Sequence, residues 1–355
     1  MLPERIRLVV LFGGRSAEHD VSRTSAASVL AAVDEDRYEV VPIGIEPDGT
    51  WVLAGPTPES LPSGASALPV KGAELDPLPA VTATSTDVPT VVLPLLHGPF
   101  GEDGTVQGLL ELAGVPYVGA GVLGSAVAMD KAVAKELFAQ AGLPQVRWLV
   151  VRDGEVDAGL AERVADSLGW PVFVKPANLG SSVGVTRVDG PDGLAAAVEE
   201  ALRFDEWVLV EEGVVGAREL ECGVLGNVTL EASLPGEIVP SHDFYDYEDK
   251  YVDGAARMVI PADVPAAVLD ECRVLAVRAA RALRAEGMAR VDFFYDGGRL
   301  LVNEVNTIPG FTPFSMFPSL WAASGVTYGE LVDRLVELAL DRHARRSSRI
   351  GRPRD

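Results

Sequence analysis

Residues 6–12, Ile-Arg-Leu-Val-Val-Leu-Phe, are apolar at six of seven positions and run straight into Gly13 and Gly14. So little polar alternation marks a strand buried on both faces. The pattern downstream agrees: a helix is predicted over about 16–33, strands over 39–45 and 90–96, and helices over 104–114 and 130–141. Strand–helix alternation of this kind builds a mostly parallel α/β domain. Residues 54–89, rich in Pro, Ser, Thr and Ala, read as a long irregular connection.

A second unit begins near residue 125. It has a helix over 131–141, a helix near 158–168, a strand at 171–177, a Gly/Ser loop at 178–184, a helix near 191–203 and a strand at 206–212. A third unit carries a strand at 219–226, a polar stretch at 241–254, a helix over 264–285, two strands around 295–300 and a helix over 327–342. The expected division is 1–124, 125–212 and 213–345. The run 342–355 is basic with Gly and Pro, and 346–355 is expected to be a disordered tail.

Charge narrows the function. A net charge of −22 over 355 residues argues against nucleic acid and anionic membrane surfaces as partners. An anionic ligand then needs a local cluster of cations. No run of 18 apolar residues exists, so no membrane span is expected. The opening segment lacks the shape of a signal peptide. Two cysteines, Cys222 and Cys272, are too few for a disulfide framework or a thiolate metal site, and a cytoplasmic location is expected. Of 30 Lys and Arg only five are Lys: Lys71, Lys131, Lys135, Lys175 and Lys250. A chain that otherwise uses Arg keeps Lys where a compact ammonium matters, for instance against phosphate.

The segment 300–311, LLVNEVNTIPGF, places Glu304 and Asn306 on one face of an otherwise apolar strand. Arg290 and Asp292 share a face of the strand before it. A three-residue loop at 297–299 would set Asp292 opposite Glu304, whereas a two-residue loop would need a bulge to do so. Two carboxylates and an amide oxygen suit Mg²⁺, which shares its remaining positions with phosphate and water; a solvent-facing sheet side would carry the same residues.

Three loops add to this. The loop 178–184 follows the strand bearing Lys175, and its amides and hydroxyls could cradle phosphate. Its spacing is neither a P-loop nor GxGxxG, and a flexible hairpin reads the same. The Gly13–Gly14 turn precedes a helix whose first turn holds Glu18, either a favourable N-terminal acid or a carboxylate offered to an ammonium. His19 is expected to orient a backbone group or a carboxylate. A second strand-to-helix turn at 96–108 holds His97, Glu102 and Asp103, of which the last two could begin and cap the helix at 104.

In order, GGRSAEHDVS, LHGPFGEDG, MDK, VKPANLGSSVG, FYDYEDKY, RVDFF and NEVNTIPGFTPFS closely resemble the motifs of the D-alanine–D-alanine ligases of the ATP-grasp superfamily, over about residues 6–340. The resemblance implies an α/β, three-domain ATP-grasp fold with an N-terminal parallel-sheet domain. It implies ligation of two D-alanines through an acyl phosphate, for peptidoglycan precursor synthesis, with ATP as co-substrate, two Mg²⁺ (or Mn²⁺) ions per site, and a homodimer. Asp292, Glu304 and Asn306 match the metal ligands. Lys131, Lys175 and Lys250 match phosphate lysines, and Ser181, Ser182 and Val183 a phosphate-covering loop. Glu211, Glu212, Val214 and Glu219 match the adenosine-binding stretch. That stretch is one residue longer than the commonest family form, which leaves its backbone contact at Val214 or Val215.

On the amino-acid side, Glu18 matches the group holding the first D-alanine's ammonium, with His97 near that substrate. Arg290 and the Gly310 N–H match the oxyanion hole. Ser315 matches the group for the second D-alanine's carboxylate, with Met316 beside it. Glu18, Ser181 and Tyr251 match a triad that ties a loop at about 240–255 over the closed site. Tyr251 and Met316 favour D-alanine as second substrate. The D-alanine–D-lactate ligases carry a His near Tyr251, whose cationic form would repel an ammonium. A D-alanine–D-lactate or D-alanine–D-serine ligase is the alternative.

Overall fold

The computed structural model describes residues 3–61, 64–82, 88–239 and 257–349. Its N-terminal part runs β1 (Ile6–Gly13), α1 (His19–Ala32), β2 (Tyr38–Ile45), β3 (Trp51–Ala54), β4 (Glu59–Ser60), β5 (Ser66–Ala67), β6 (Gly72–Leu75), α2 (Pro77–Thr82), β7 (Thr90–Pro94), α3 (Thr105–Ala113) and α4 (Val122–Met129). The sheet order is β6-β3-β2-β1-β7. β1 lies between β2 and β7 and is parallel to both, with Val9 in register with Val41 and Val92. Every residue of β1 except Arg7 is buried, as the nearly continuous apolar run requires.

The connection at 54–89 is not irregular throughout. β6 pairs antiparallel with β3 and widens the sheet, and β4 and β5 form a small hairpin. Gly-Ala-Glu-Leu at 72–75 is mostly exposed, and its alternation of Ala73 and Leu75 is too short to mark a strand.

The central part has α5 (Lys131–Gln140), β8 (Trp148–Arg152), α6 (Leu160–Ser167), β9 (Val172–Pro176), β10 (Thr186–Val188), α7 (Leu194–Leu202) and β11 (Trp207–Glu212), with sheet order β10-β9-β11-β8, all antiparallel. Asp130 caps α5 by accepting from Val133 N–H at 3.0 Å, which sets Lys131 at the helix start.

The C-terminal part has β12 (Arg218–Gly226), β13 (Leu230–Ala232), β14 (Gly236–Val239), β15 (Arg257–Val259), α8 (Ala266–Ala282), β16 (Gly287–Tyr295), β17 (Leu300–Asn306), α9 (Met316–Ala323) and α10 (Tyr328–Ser347). The order is β15-β14-β12-β16-β17, with β13 alongside β12. One core joins Leu331, Leu335 and Val336 of α10 to Leu8 and Val10 of β1, so the chain's end packs on its beginning.

That helix corrects the expected tail. α10 continues to Ser347, and its basic residues are engaged. Arg342 is 3% exposed and donates to the carbonyl oxygens of Tyr117 and Gly119. Arg346 pairs with Glu111 at 2.6 Å and Arg345 with Glu286 at 3.0 Å. The residues 350–355 lie outside the described ones. No helix among the described residues is long and apolar enough to cross a membrane.

The turn after β1 is built by Ser22. Its hydroxyl accepts from Gly13 N–H at 2.8 Å and donates to Leu95 O at 2.5 Å, tying α1 to the ends of β1 and β7. Gly13 has φ 87°, and a Cβ there would sit 2.4 Å from Ile45 O, so only glycine fits. Ser22→Ala would leave a buried N–H and a buried C=O unpaired. The expected cost is about 2 kcal/mol, read as a fall of several degrees in the thermal midpoint; an unchanged midpoint would mean the turn does not depend on Ser22.

Candidate active site

The β16–β17 hairpin brings the acidic residues together by a different route from the three-residue loop. Tyr295 pairs with Leu300, which leaves a four-residue loop and the wrong parity. A bulge then corrects it: Phe293 faces Val302, but Asp292 faces Glu304, with Asn303 as the extra residue. β12 adds a third carboxylate, because Glu221 faces Asp292 from the other side. Glu221, Asp292 and Glu304 therefore form a row across three strands.

Arg290 spans part of that row. Its Nε and Nη2 donate to the two oxygens of Asp292, each at 2.7 Å, and Nε lies 2.9 Å from Glu221 Oε2. Burial alone would lower the Arg290 pKa, but these carboxylates outweigh it and hold it well above the usual value. Asn306 Nδ2 donates to Asp292 Oδ2 at 2.9 Å. The donor set is oxygen-rich and hard, and it fits Mg²⁺. Among the described residues no three His, Cys, Asp or Glu are grouped to hold a metal, so Asp292 and Glu304 would need the Asn306 amide, phosphate and water. Asn303 Oδ1 is also buried there, without a partner among the described residues.

A cleft of about 270 Å³ opens between the central and C-terminal sheets, lined by Asp292, Glu304, Arg290 and Glu221 on one side and by Lys131, Lys175 and the loop Gly180–Val183 on the other. Ser181 and Ser182 have φ of 53° and 58°, a left-handed pair that curls the loop. Lys131 donates to Leu179 O at 2.5 Å and lies 3.7 Å from Glu304 Oε2, joining loop to acid row. Glu211, Glu212, Val214, Val215 and Glu219 line the same cleft, with Glu212 held by Arg147 at 2.8 Å. Glu211 is ion-paired with two buried ammoniums: Lys135 at 2.7 Å and Lys175 at 2.6 Å. Burial would raise its pKa, yet the two cations keep it below the usual carboxylate range.

The amino-acid side lies where the N-terminal turns meet the segment after β17. A Cβ on Gly180 would be 3.7 Å from Glu18 Oε2, and one on Gly98 3.9 Å, so Glu18 stands between the 97–102 turn and the Gly/Ser loop that carries Ser181. His19 Nδ1 bonds Gly14 O at 2.8 Å, the backbone-orienting role expected of it. His97, 5% exposed, donates from Nδ1 to Ile308 O at 3.0 Å, while its buried Nε2 has no partner among the described residues. Phe311 N–H bonds Ser25 Oγ at 3.3 Å and Tyr328 OH donates to Phe311 O at 2.6 Å, which fixes the path to Gly310 and Ser315. Ser315 Oγ accepts from Thr312 N–H at 3.0 Å, and a Cβ on Gly310 would lie 3.0 Å from it. Met316 is 5% exposed and packs with Ile238 and Leu320. Lys250 and Tyr251 lie outside the described residues.

The comparisons with known proteins agree with this geometry. Residues 7–120 match the family "D-ala D-ala ligase N-terminus" and 137–337 match "D-ala D-ala ligase C-terminus". The chain belongs to the D-alanine–D-alanine ligase family. It is 48% identical over 352 residues to a D-alanine–D-alanine ligase of Geobacillus thermodenitrificans, covering 96% of each chain, and 50% identical over 363 residues to one of Paenarthrobacter aurescens, covering 95% of this chain and 96% of the relative. Among solved structures, the D-alanine–D-alanine ligase of Coxiella burnetii superposes with a TM-score of 0.79 at 34% identity, over 97% of this chain and 96% of that one. The VanG D-Ala:D-Ser ligase of Enterococcus faecalis gives the same TM-score at 33% identity, over 94% and 99%. The fold is accordingly that of the D-alanine–D-alanine ligases, the ATP-grasp fold.

In this ligase-family site two residues escaped the sequence reading. Glu221 follows Glu219 at a spacing of two, which puts both on the face of Asp292; that alternation was the available signal. Lys135 follows Lys131 at a spacing of four, one helix turn, but its partner Glu211 is remote in sequence and left none.

Glu102 does more than begin a helix. Its Oε1 accepts from Gly98 N–H at 2.8 Å. The residue is half-buried, and desolvation, reinforced by Glu18, pushes its pKa up to about 8 against the opposing Gly98 and Ile308 N–H groups. The folded protein thus holds this proton to about pH 8, whereas the unfolded chain releases it near the ordinary 4.5. Stability falls as pH rises between those values. Glu102→Gln, always neutral, should remove that fall. Urea midpoints of the two proteins are expected to diverge from about pH 5 to about pH 8, the wild type losing ground; parallel profiles would contradict the assignment.

Proposed function

We propose that this chain joins two D-alanines into D-alanyl-D-alanine with conversion of ATP to ADP and phosphate, as a step of peptidoglycan precursor synthesis. The observation that carries the reading is the convergence of Asp292, Glu304, Arg290, Lys131 and Lys175 on one cleft. The family assignment and relatives near 50% identity, each named D-alanine–D-alanine ligase, support it.

Asp292, Glu304 and Asn306 would hold Mg²⁺ (or Mn²⁺), two ions per site, which when bound offset the negative charge gathered on the transferring phosphoryl group. Lys131 and Lys175 would exchange their internal partners for phosphate oxygens, and the loop with Ser181, Ser182 and Val183 would cover them. Glu211, Glu212, Val214 and Glu219 would receive the nucleoside. Glu18 would hold the ammonium of the first D-alanine, with His97 Nε2 available to the same molecule. A carboxylate oxygen of that D-alanine attacks the γ-phosphorus, the bond to ADP breaks, and an acyl phosphate results. The amine of the second D-alanine, whose carboxylate Ser315 would orient, then attacks the acyl carbon. Arg290 and the Gly310 N–H donate to the oxygen as it becomes anionic, and phosphate leaves. Lys250 and Tyr251 would complete the site, Tyr251 in a triad with Glu18 and Ser181 that shields the acyl phosphate from water.

The division at 1–124, 125–212 and 213–345, a homodimer and a cytoplasmic location are proposed on the same basis. The D-lactate or D-serine alternative is not favoured, since the D-Ala:D-Ser ligase is 33% identical while the relatives at 48% and 50% are D-alanine–D-alanine ligases. Coupled phosphate release with D-alanine, L-alanine, D-serine and D-lactate, singly and paired with D-alanine, tests the reading. Release is expected to require D-alanine, with D-alanine preferred over D-lactate at neutral pH; ATP binding without D-alanine-dependent release would overturn it. Asp292→Asn is expected to lower kcat/KM by roughly two to three orders of magnitude, as loss of a transition-state partner does.

A further inference from the structure

We propose that Lys135 is a positioning residue for nucleotide binding, the standing counter-ion of Glu211 that leaves Lys175 available to the triphosphate. The inference rests on the ligase reading above and deepens its nucleotide side.

Lys135 lies on α5 and is 1% exposed; Glu211 is 3% exposed. Lys175 Nζ lies 2.6 Å from Glu211 Oε2, and Lys135 Nζ lies 2.7 Å from Oε1. Lys175 and Glu211 are part of the cleft wall, and Lys135 is not. The cluster thus has an inner cation that faces protein and an outer cation that faces the ligand.

Burying either a lysine ammonium or a carboxylate without a partner of opposite sign is expensive. A single pair, Glu211 with Lys175, would satisfy both and leave the cluster neutral. It would also tie Lys175 down, because drawing its charge toward a phosphate would strip a buried carboxylate of its only cation. Lys135 removes that conflict. It keeps Glu211 compensated when Lys175 turns outward, and it leaves the three-residue cluster of Lys135, Glu211 and Lys175 with one positive charge in excess beside a polyanion. An arginine-rich chain that spends one of five lysines on so buried a position is consistent with such a role.

The test is calorimetric titration of Mg·ATP and Mg·ADP into wild type, Lys135→Met, Glu211→Gln and the double variant, with KM for each substrate beside it. Lys135→Met is expected to weaken ATP roughly tenfold and to leave KM for D-alanine within about twofold. In the Glu211→Gln background there is no carboxylate to compensate, so the same change should cost under about twofold. Lys135→Arg, which keeps the charge, should bind ATP within about threefold of wild type and covers the case in which Lys135→Met folds poorly. Wild-type ATP affinity in Lys135→Met, equal losses in both backgrounds, or a loss in Lys135→Arg matching that of Lys135→Met would each overturn the proposal. Binding is read without turnover, so a failure of D-alanine-dependent phosphate release would count against the ligase reading alone.

Discussion

One extra residue in β17 governs the chemistry of the cleft. Without the bulge at Asn303, the four-residue loop of the hairpin would turn Asp292 and Glu304 to opposite faces. With it, Asp292 has Glu304 on one side and Glu221 on the other. Like charges directly opposed across strands are unfavourable, by several tenths of a kcal/mol or more per pair. The sheet tolerates them because Arg290 binds Asp292 in a two-pronged contact and reaches Glu221, while Asn306 donates to Asp292. A cation held by Asp292 and Glu304 would relieve the same repulsion.

A second regularity runs through the site. The groups expected to meet substrate already have partners of the right sign or polarity within the protein. Asp292 is held by Arg290, Lys175 by Glu211, and Lys131 by Leu179 O and more distantly by Glu304. Ligand binding then becomes an exchange of partners rather than a first pairing, and no buried charge stands bare before the nucleotide arrives. The exchange works only where the partner left behind is itself still compensated. Glu221 serves Arg290 in this way, and Lys135 serves Glu211. Among the described residues, the neutral His97 Nε2 and Asn303 Oδ1 keep open hydrogen-bonding capacity beside the cleft.

What could be read from the sequence follows the range of the interactions. β1 was legible because burial on both faces is written in consecutive residues, and the shared face of Glu304 and Asn306 because strand periodicity is local. Seven ordered motifs carried the family. The bulge was not legible, since Asn303 looks like any strand residue until its partner strand is known. Lys135 was visible as a rare lysine but not as a Glu211 ligand, a pairing across 76 positions of chain. The end of α10 misled in the other direction: Arg342, Arg345 and Arg346 resemble a solvated basic tail, yet Tyr117 O, Gly119 O, Glu111 and Glu286 are waiting for them. Composition describes a segment's own preference and is silent about acids presented from another part of the fold.

The convergence of Asp292 and Glu304 on a nucleotide-bound cation can be seen directly. A crystal of the protein grown with Mn²⁺ and a non-hydrolysable ATP analogue, measured at the manganese edge, should show an anomalous peak about 2.0–2.3 Å from oxygens of Asp292, Glu304 and Asn306 and of the terminal phosphates. A peak at another set of acids, with the triphosphate bound and Asp292 still clasped by Arg290 alone, would contradict the arrangement.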